Sequence, residues 1–136
     1  MKKFTKENFS INDALDELMQ GSGVIAIENV YSLDNIKEAR SIVNHYADTQ
    51  KQNESHFNAE AEFTGKIKLQ QRVWNLFGKG EIFSSLITHD FIFTLMSKLL
   101  GTEFFCGSYC ASRLLPGSPG QELHIDYPYW DFYKSE

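Results

Sequence analysis

Thiols are scarce in this sequence: Cys106 and Cys110 are the only cysteines among 136 residues. They stand four apart in a segment that alternates like a strand, which separates their Cα atoms by roughly 13 Å, beyond the ~7 Å that a disulfide spans. The spacing also offers no CxxC pair, so a zinc ribbon or a redox dithiol is excluded, and two buried, unbridged thiols are expected. Proline is nearly as rare, with three residues. Two of them, Pro116 and Pro119, fall in the stretch PGSPG at 116–120, which is therefore the expected rigid loop. No apolar run approaches the ~18 residues of a membrane span, and the lysine-bearing first twenty positions lack the apolar centre of a secretory signal. A soluble, cytoplasmic chain with no membrane partner is expected. Basic residues are not in excess either: a net charge of −5 and an isoelectric point near 5.3 argue against nucleic acid, whose affinity comes from clustered Lys and Arg. Repeats, low-complexity tracts and linkers are lacking as well, so residues 1–136 read as a single domain.

What is present suits a folded core. Hydrophobic residues make up 42% of the chain and include 11 Phe and 6 Tyr, enough apolar material to exclude wholesale disorder. Ser10 followed by Ile11, Ala14, Leu15, Leu18 and Met19 predicts a capped amphipathic helix that stops at Gly21 and Gly23. The run GVIAIEN at 23–29 predicts a strand, and Ser32 then caps a second helix carrying Ile36, Ala39, Val43, Tyr46 and Ala47 on one face. Residues 48–65 are polar and aperiodic, so they read as a long connection. A short strand is expected over RVWNL at 72–76, with a turn at FGKG. A helix from Asp90 to Gly101 follows, its stripe formed by Ile92, Leu95, Met96, Leu99 and Leu100. Alternation over 102–115 predicts a long strand, and QELHIDY after the Pro/Gly loop predicts another. Helices and short strands first and longer strands last indicate an α+β fold with a β core that starts near residue 102.

The last of these strands carries the candidate chemistry. Residues at i and i+2 of a strand share a face, so His124 and Asp126 project side by side with Cα atoms about 6.6 Å apart. An imidazole and a carboxylate so placed suit two positions on one metal ion. With a second His they make the open 2-His-1-carboxylate face of non-haem Fe(II). HxD is short enough to arise by chance, so its setting matters: a Gly/Pro loop before it, and after it Tyr127, Tyr129 and Trp130, which are able to wall a cleft.

The wording around the dyad, YCASRLLPGSPGQELHIDYPYWDF, resembles the phytanoyl-CoA dioxygenase family. It has an Arg-bearing strand, a Pro/Gly loop, a Gln shortly before HxD and an aromatic residue after it. The upstream GVIAIENVYSLDNIKEARSIV looks like that family's opening strand and helix. The resemblance implies a double-stranded β-helix, or jelly roll, with N-terminal helices and strands packed on its start. It implies use of Fe(II), 2-oxoglutarate and O₂ to hydroxylate or halogenate a small-molecule substrate. His124 and Asp126 match two metal ligands of the family. Ser112 and Arg113 match a strand segment that in some relatives lines the cosubstrate and substrate pocket, Gln121 stands where relatives often place a polar residue, and Tyr127 and Trp130 are the aromatic candidates for the wall of that pocket.

The family's second metal His and its oxoacid-binding Arg lie beyond HxD, whereas here no His follows His124 and no Arg follows Arg113. His45, His56 and His89 precede the dyad, in segments that match family regions without ligands. The expectation is therefore the N-terminal part of such a domain, incomplete at the C-terminus. Weak binding of Fe(II) and 2-oxoglutarate and little turnover by the chain alone follow, as does homo-oligomerisation through strands left open. Two readings from other classes stand beside this one: a small-ligand-binding module built on the aromatic segment 127–133, and an interaction domain in which HxD is a solvated polar pair. The basic group Lys66, Lys68 and Arg72 reads as a solvated strand face or as a contact for an acidic substrate.

Overall fold

The computed structural model describes residues 1–50, 63–64, 67–118 and 120. It is a mixture of helix and strand of the α+β kind, in which every sheet among the described residues has two strands. The first unit is β1 (Lys2–Phe4), α1 (Ile11–Met19) and β2 (Ile25–Ile27), with β1 and β2 parallel in the register Lys2 to Ile25 and Phe4 to Ile27. Parallel neighbours require a crossover between them, and α1 supplies it. Ser10 caps α1 as its spacing predicts, its hydroxyl accepting from the Asp13 N–H at 3.3 Å. Ala14, Leu15 and Leu18 of α1 pack with Phe4 and with Leu95 of α4 (Asp90–Leu100) to form one buried cluster.

The second unit is built on α2 (Leu33–Thr49), whose cap Ser32 accepts from the Asn35 N–H at 3.1 Å. Its buried positions are the small residues Ala39 and Ala47. Against it lie α3 (Glu81–Ile87), with Ile82 and Phe83 buried, and a strand pair. After the short antiparallel pair β3 (Phe63–Thr64) and β4 (Ile67–Lys68) comes β5 (Gln70–Val73), which pairs antiparallel with β6 (Ala111–Leu114). Gln70 stands opposite Leu114 and Val73 opposite Ala111. Val73, Leu76, Ile82 and Phe83 form the second buried cluster with Ala39 and Ala47. The Tyr31 hydroxyl donates to the Leu86 carbonyl at 2.8 Å and so ties the start of α2 to α3.

Several expectations are corrected. The strand predicted over 102–115 is a strand only at Ala111–Leu114, and residues 104–110 lie outside any helix or strand. Alternation makes a segment eligible for a ladder but does not supply a partner, and β5 offers only four residues. The strand predicted at 72–76 begins earlier and ends at Val73, because Asn75 adopts a left-handed conformation (φ 54°) and the chain enters a 3₁₀ turn at Leu76–Lys79. Strand pairing therefore does not start near residue 102: β1 and β2, β3 and β4, and β5 all precede it. The connection read at 48–65 is shorter than expected at both ends, since α2 runs to Thr49 and β3 starts at Phe63; residues 51–62 lie outside the described set. Cys106 is exposed and Cys110 half-buried, and both are free thiols. Neither β1 nor α3 is visible in the periodicity, one being three residues long and the other two turns. Among the described residues no helix is long and apolar enough to cross a membrane.

Phe83 joins α3 to α2 and meets the Tyr109 ring edge-on at 6.2 Å between centroids. Phe83→Ala is expected to lower the unfolding free energy by about 3–5 kcal/mol, the usual range for truncating a buried aromatic. Denaturant unfolding checks this, and a loss below about 1 kcal/mol would place Phe83 outside the core that holds α3.

Candidate functional site

The β5–β6 ribbon has two unlike faces. Cross-strand partners share a face, so Gln71, Val73, Ala111 and Arg113 point one way and Gln70, Arg72, Ser112 and Leu114 the other. The first face packs on α2: Val73 is buried and Ala111 joins the same cluster. The second is open. Ser112 is exposed, Leu114 is 62% exposed, and the Gln70 amide reaches across the strands to the Ser112 hydroxyl at 3.4 Å. On this side the Arg72 guanidinium lies 5.4 Å from the Trp74 ring centre, a cation–π arrangement.

Arg113 is fully engaged on the packed face. Its Nε donates to Gln71 Oε1 at 2.7 Å, one terminal nitrogen donates to Asn44 Oδ1 at 3.2 Å, and the other donates to Asp48 Oδ1 at 2.5 Å. One side chain of β6 therefore holds a residue of β5 and two residues of α2, using the fixed fork of the guanidinium. The hydrogen bond from Arg113 holds the Asp48 carboxyl below its usual range. The charges of Arg113 and His45 add to this, and a desolvation contribution opposes it.

The strand order also fixes which backbone groups of β6 remain available. The Leu115 N–H donates to the Leu69 carbonyl at 2.9 Å, so the residues of β6 that bond toward β5 are the odd-numbered ones. The N–H and C=O groups of Ser112 and Leu114 therefore point to the opposite edge, which has no strand beside it among the described residues. Immediately after β6 the chain turns. Ser118 N–H donates to the Leu115 carbonyl at 3.0 Å, Pro116 occupies the second position and Gly117 the third with φ 87°. That is the type II pattern, in which the third position requires the positive φ that glycine adopts without strain.

At the other end of the ribbon the pairing continues past one inserted residue. Val73 stands opposite Ala111, yet the next bond runs from the Leu76 N–H to the Tyr109 carbonyl at 3.1 Å, so β5 carries an extra residue as in a β-bulge, with Asn75 left-handed at this point. The bulge opens a concave cleft of about 340 Å³ lined by Trp74, Asn75, Phe77, Cys106, Ser108 and Tyr109. Phe77 meets Tyr109 edge-on with ring centres 5.2 Å apart. Burial pushes the Tyr109 phenol above its ordinary pKa, with Tyr31 and Cys106 adding to the shift. The Cys106 thiol donates to the Ser108 carbonyl at 3.4 Å and is exposed. A second concavity of about 430 Å³ lies between β2 and α4, lined by Ile25, Ile27, Tyr31, Ile36, Ile92 and Leu95.

Of the residues singled out in the sequence, Ser112 and Arg113 fall on opposite faces of one strand and do not meet in a common pocket. Gln121, His124, Asp126, Tyr127 and Trp130 lie outside the described residues, as do His56 and Lys66. His45 is exposed on α2 beside the Tyr46 ring. His89 caps α4: its Nδ1 accepts from the Phe91 N–H at 3.4 Å, and its ring packs on Phe91 and against Tyr31. Among the described residues no group of three or more His, Cys, Asp or Glu side chains is placed to hold a metal ion. The cleft residues Trp74, Phe77 and Tyr109 carried no sequence signal of a shared site, because they converge only through the bulge and the pairing of segments more than thirty positions apart. Comparison with family models, with curated proteins and with solved structures finds no match to this chain.

The Arg113 cluster makes two measurable statements. Arg113→Ala is expected to cost about 1–3 kcal/mol near neutral pH, because it leaves Gln71 and Asn44 without their shared donor. A carboxyl whose pKa is lower in the folded state stabilises fully above its unfolded pKa and loses that contribution as pH falls through the folded one. Asp48→Asn should therefore lose stability less steeply than the parent protein between about pH 5 and about pH 2. Urea unfolding at each pH reads the slopes, and equal slopes would show that the Asp48–Arg113 pair does not contribute to acid sensitivity.

Proposed function

We propose that the chain contributes the HxD half of a metal-dependent oxygenase site, in a jelly-roll domain of the kind the sequence resembles, acting on a small molecule. The observation that carries the reading is the HxD spacing of QELHIDY shortly after the reverse turn that ends β6. Among the described residues no strand lies beside the outer edge of β6, to which the backbone groups of Ser112 and Leu114 point.

Residues at i and i+2 of a strand share a face, so in QELHIDY a strand would present His124 and Asp126 together, an imidazole beside a carboxylate, with the apolar Leu123 and Ile125 on the opposite face.

The donor set of His124 and Asp126, one nitrogen and one oxygen, suits Fe(II). With 2-oxoglutarate bound, such an ion would supply the activation of O₂, and His124 and Asp126 would be the two side chains of this chain that hold it. Arg113, committed to Asp48 and Asn44, keeps the ribbon seated on α2.

Titration of the full chain with Co(II), followed by the metal's visible absorption, tests the reading. The parent protein is expected to bind, and either His124→Ala or Asp126→Ala to weaken binding by at least about tenfold. Unchanged affinity in both variants would overturn the metal assignment and favour the ligand-binding or interaction module. With Fe(II) and 2-oxoglutarate, succinate formation by the chain alone should stay near background, and robust turnover would show that a complete ligand set is available to it.

A further inference from the structure

We propose that the cleft between Trp74 and Tyr109 binds a small, uncharged, planar aromatic molecule that carries a hydroxyl or carbonyl oxygen. The inference goes beyond the metal reading, since every residue it uses lies at the described end of the ribbon and none belongs to the dyad.

The lining sets the class of ligand. Trp74, Phe77 and Tyr109 place three ring systems around about 340 Å³, within the roughly 300–1,000 Å³ of small-molecule sites. No Lys, Arg, Asp, Glu or His stands among the lining residues, whose polar side chains are those of Asn75, Cys106, Ser108 and Tyr109. An ion entering here would give up water without gaining an opposite charge, so a neutral ligand is favoured. A flat ring gains edge or face contacts with other rings at centre distances of about 4.5–7 Å, which a saturated molecule of the same size does not. Burial raises the pKa of Tyr109, so at neutral pH its hydroxyl keeps its proton and can donate, as the Asn75 amide can, to an oxygen on the ligand.

The walls are in place before anything binds. The Tyr109 carbonyl accepts from the Leu76 N–H at 3.1 Å, and its ring meets Phe77 at 5.2 Å and the buried Phe83 at 6.2 Å. One wall is therefore fixed by the core, which keeps the ordering cost of binding small. The room beside it is open: Trp74 is 44% exposed and Phe77 46%. Gly107 adds no side chain to the lining, and a Cβ at that position would meet no atom within 4 Å.

The test uses the full chain with Cys110→Ser, in which Cys106 is the sole thiol, and two probes of like size, naphthol and its fully saturated analogue decahydronaphthol. The Cys106 thiol is exposed and belongs to the lining, so its alkylation by iodoacetamide reads occupancy of the cleft. Naphthol is expected to slow alkylation saturably, by at least about fivefold, and decahydronaphthol at the same concentration to leave the rate unchanged. Trp74→Leu removes one ring while keeping apolar bulk, and is expected to raise the naphthol concentration needed for half-protection by at least about fivefold. Should that variant lose its far-UV circular dichroism, the comparison of the two probes on the Cys110→Ser chain alone decides. Absence of protection by naphthol overturns the proposal, as does equal protection by the two probes or unchanged naphthol protection in a folded Trp74→Leu variant. Co(II) binding by the dyad is read separately, so neither result decides the other.

Discussion

The ribbon between Gln70–Val73 and Ala111–Leu114 joins segments about forty positions apart, and Arg113 is what holds it to the helical layer. Four residues per strand provide few ladder bonds, and a two-stranded ribbon of that length is not stable by itself in water. Packing of Val73 and Ala111 on α2 supplies the apolar part of the attachment, and the guanidinium supplies the polar part by satisfying acceptors on both β5 and α2. Loop-closure entropy makes so distant a pairing costly, so side-chain contacts that reward it only when both strands and the helix are in place make assembly of this region cooperative.

Because one face of the ribbon is committed to α2, the other is free to differ. Ser112, Leu114, Gln70 and Arg72 share it, the first two exposed and the last two half-buried, and among the described residues the outer edge of β6 has no strand beside it. The bulge at Asn75 then re-aims Trp74 and Phe77 toward Tyr109 and makes a cleft at the ribbon's end. These features follow from one asymmetry, a ribbon that packs on α2 through a single face.

The helices were legible because their signals are local. Ser10 and Ser32 hydroxyls accept from the third residue onward, and Gly101 closes α4 with a positive φ of 90°, all within a few positions of where the pattern placed them. The strands were less so. Phe104 to Cys110 alternates as a strand does, but among the described residues its backbone pairing with β5 and the turn after it is the one bond from the Leu76 N–H to the Tyr109 carbonyl, whereas Gln70 and Gln71 carry little strand propensity and enter β5 because β6 and α2 are beside them. The glutamines are half-buried because Gln71 serves Arg113 and Gln70 reaches Ser112, relations no local window contains.

By itself the sequence determined the capped helices, the Pro-Gly turn after Leu115, the spacing that gives His124 and Asp126 a common side of any strand they form, and the absence of a disulfide framework. Each depends on residues a few bonds apart, whose conformations are set by local sterics and hydrogen bonds. Tertiary structure alone decided that Arg113 serves as a tie to α2, that Ser112 faces the other way, that Cys106 is exposed, and that Trp74, Phe77 and Tyr109 meet in one cleft. Those outcomes depend on which distant strand pairs with which and on which face is buried, and a pattern of period two is blind to both, since shifting a strand by a single residue exchanges its faces.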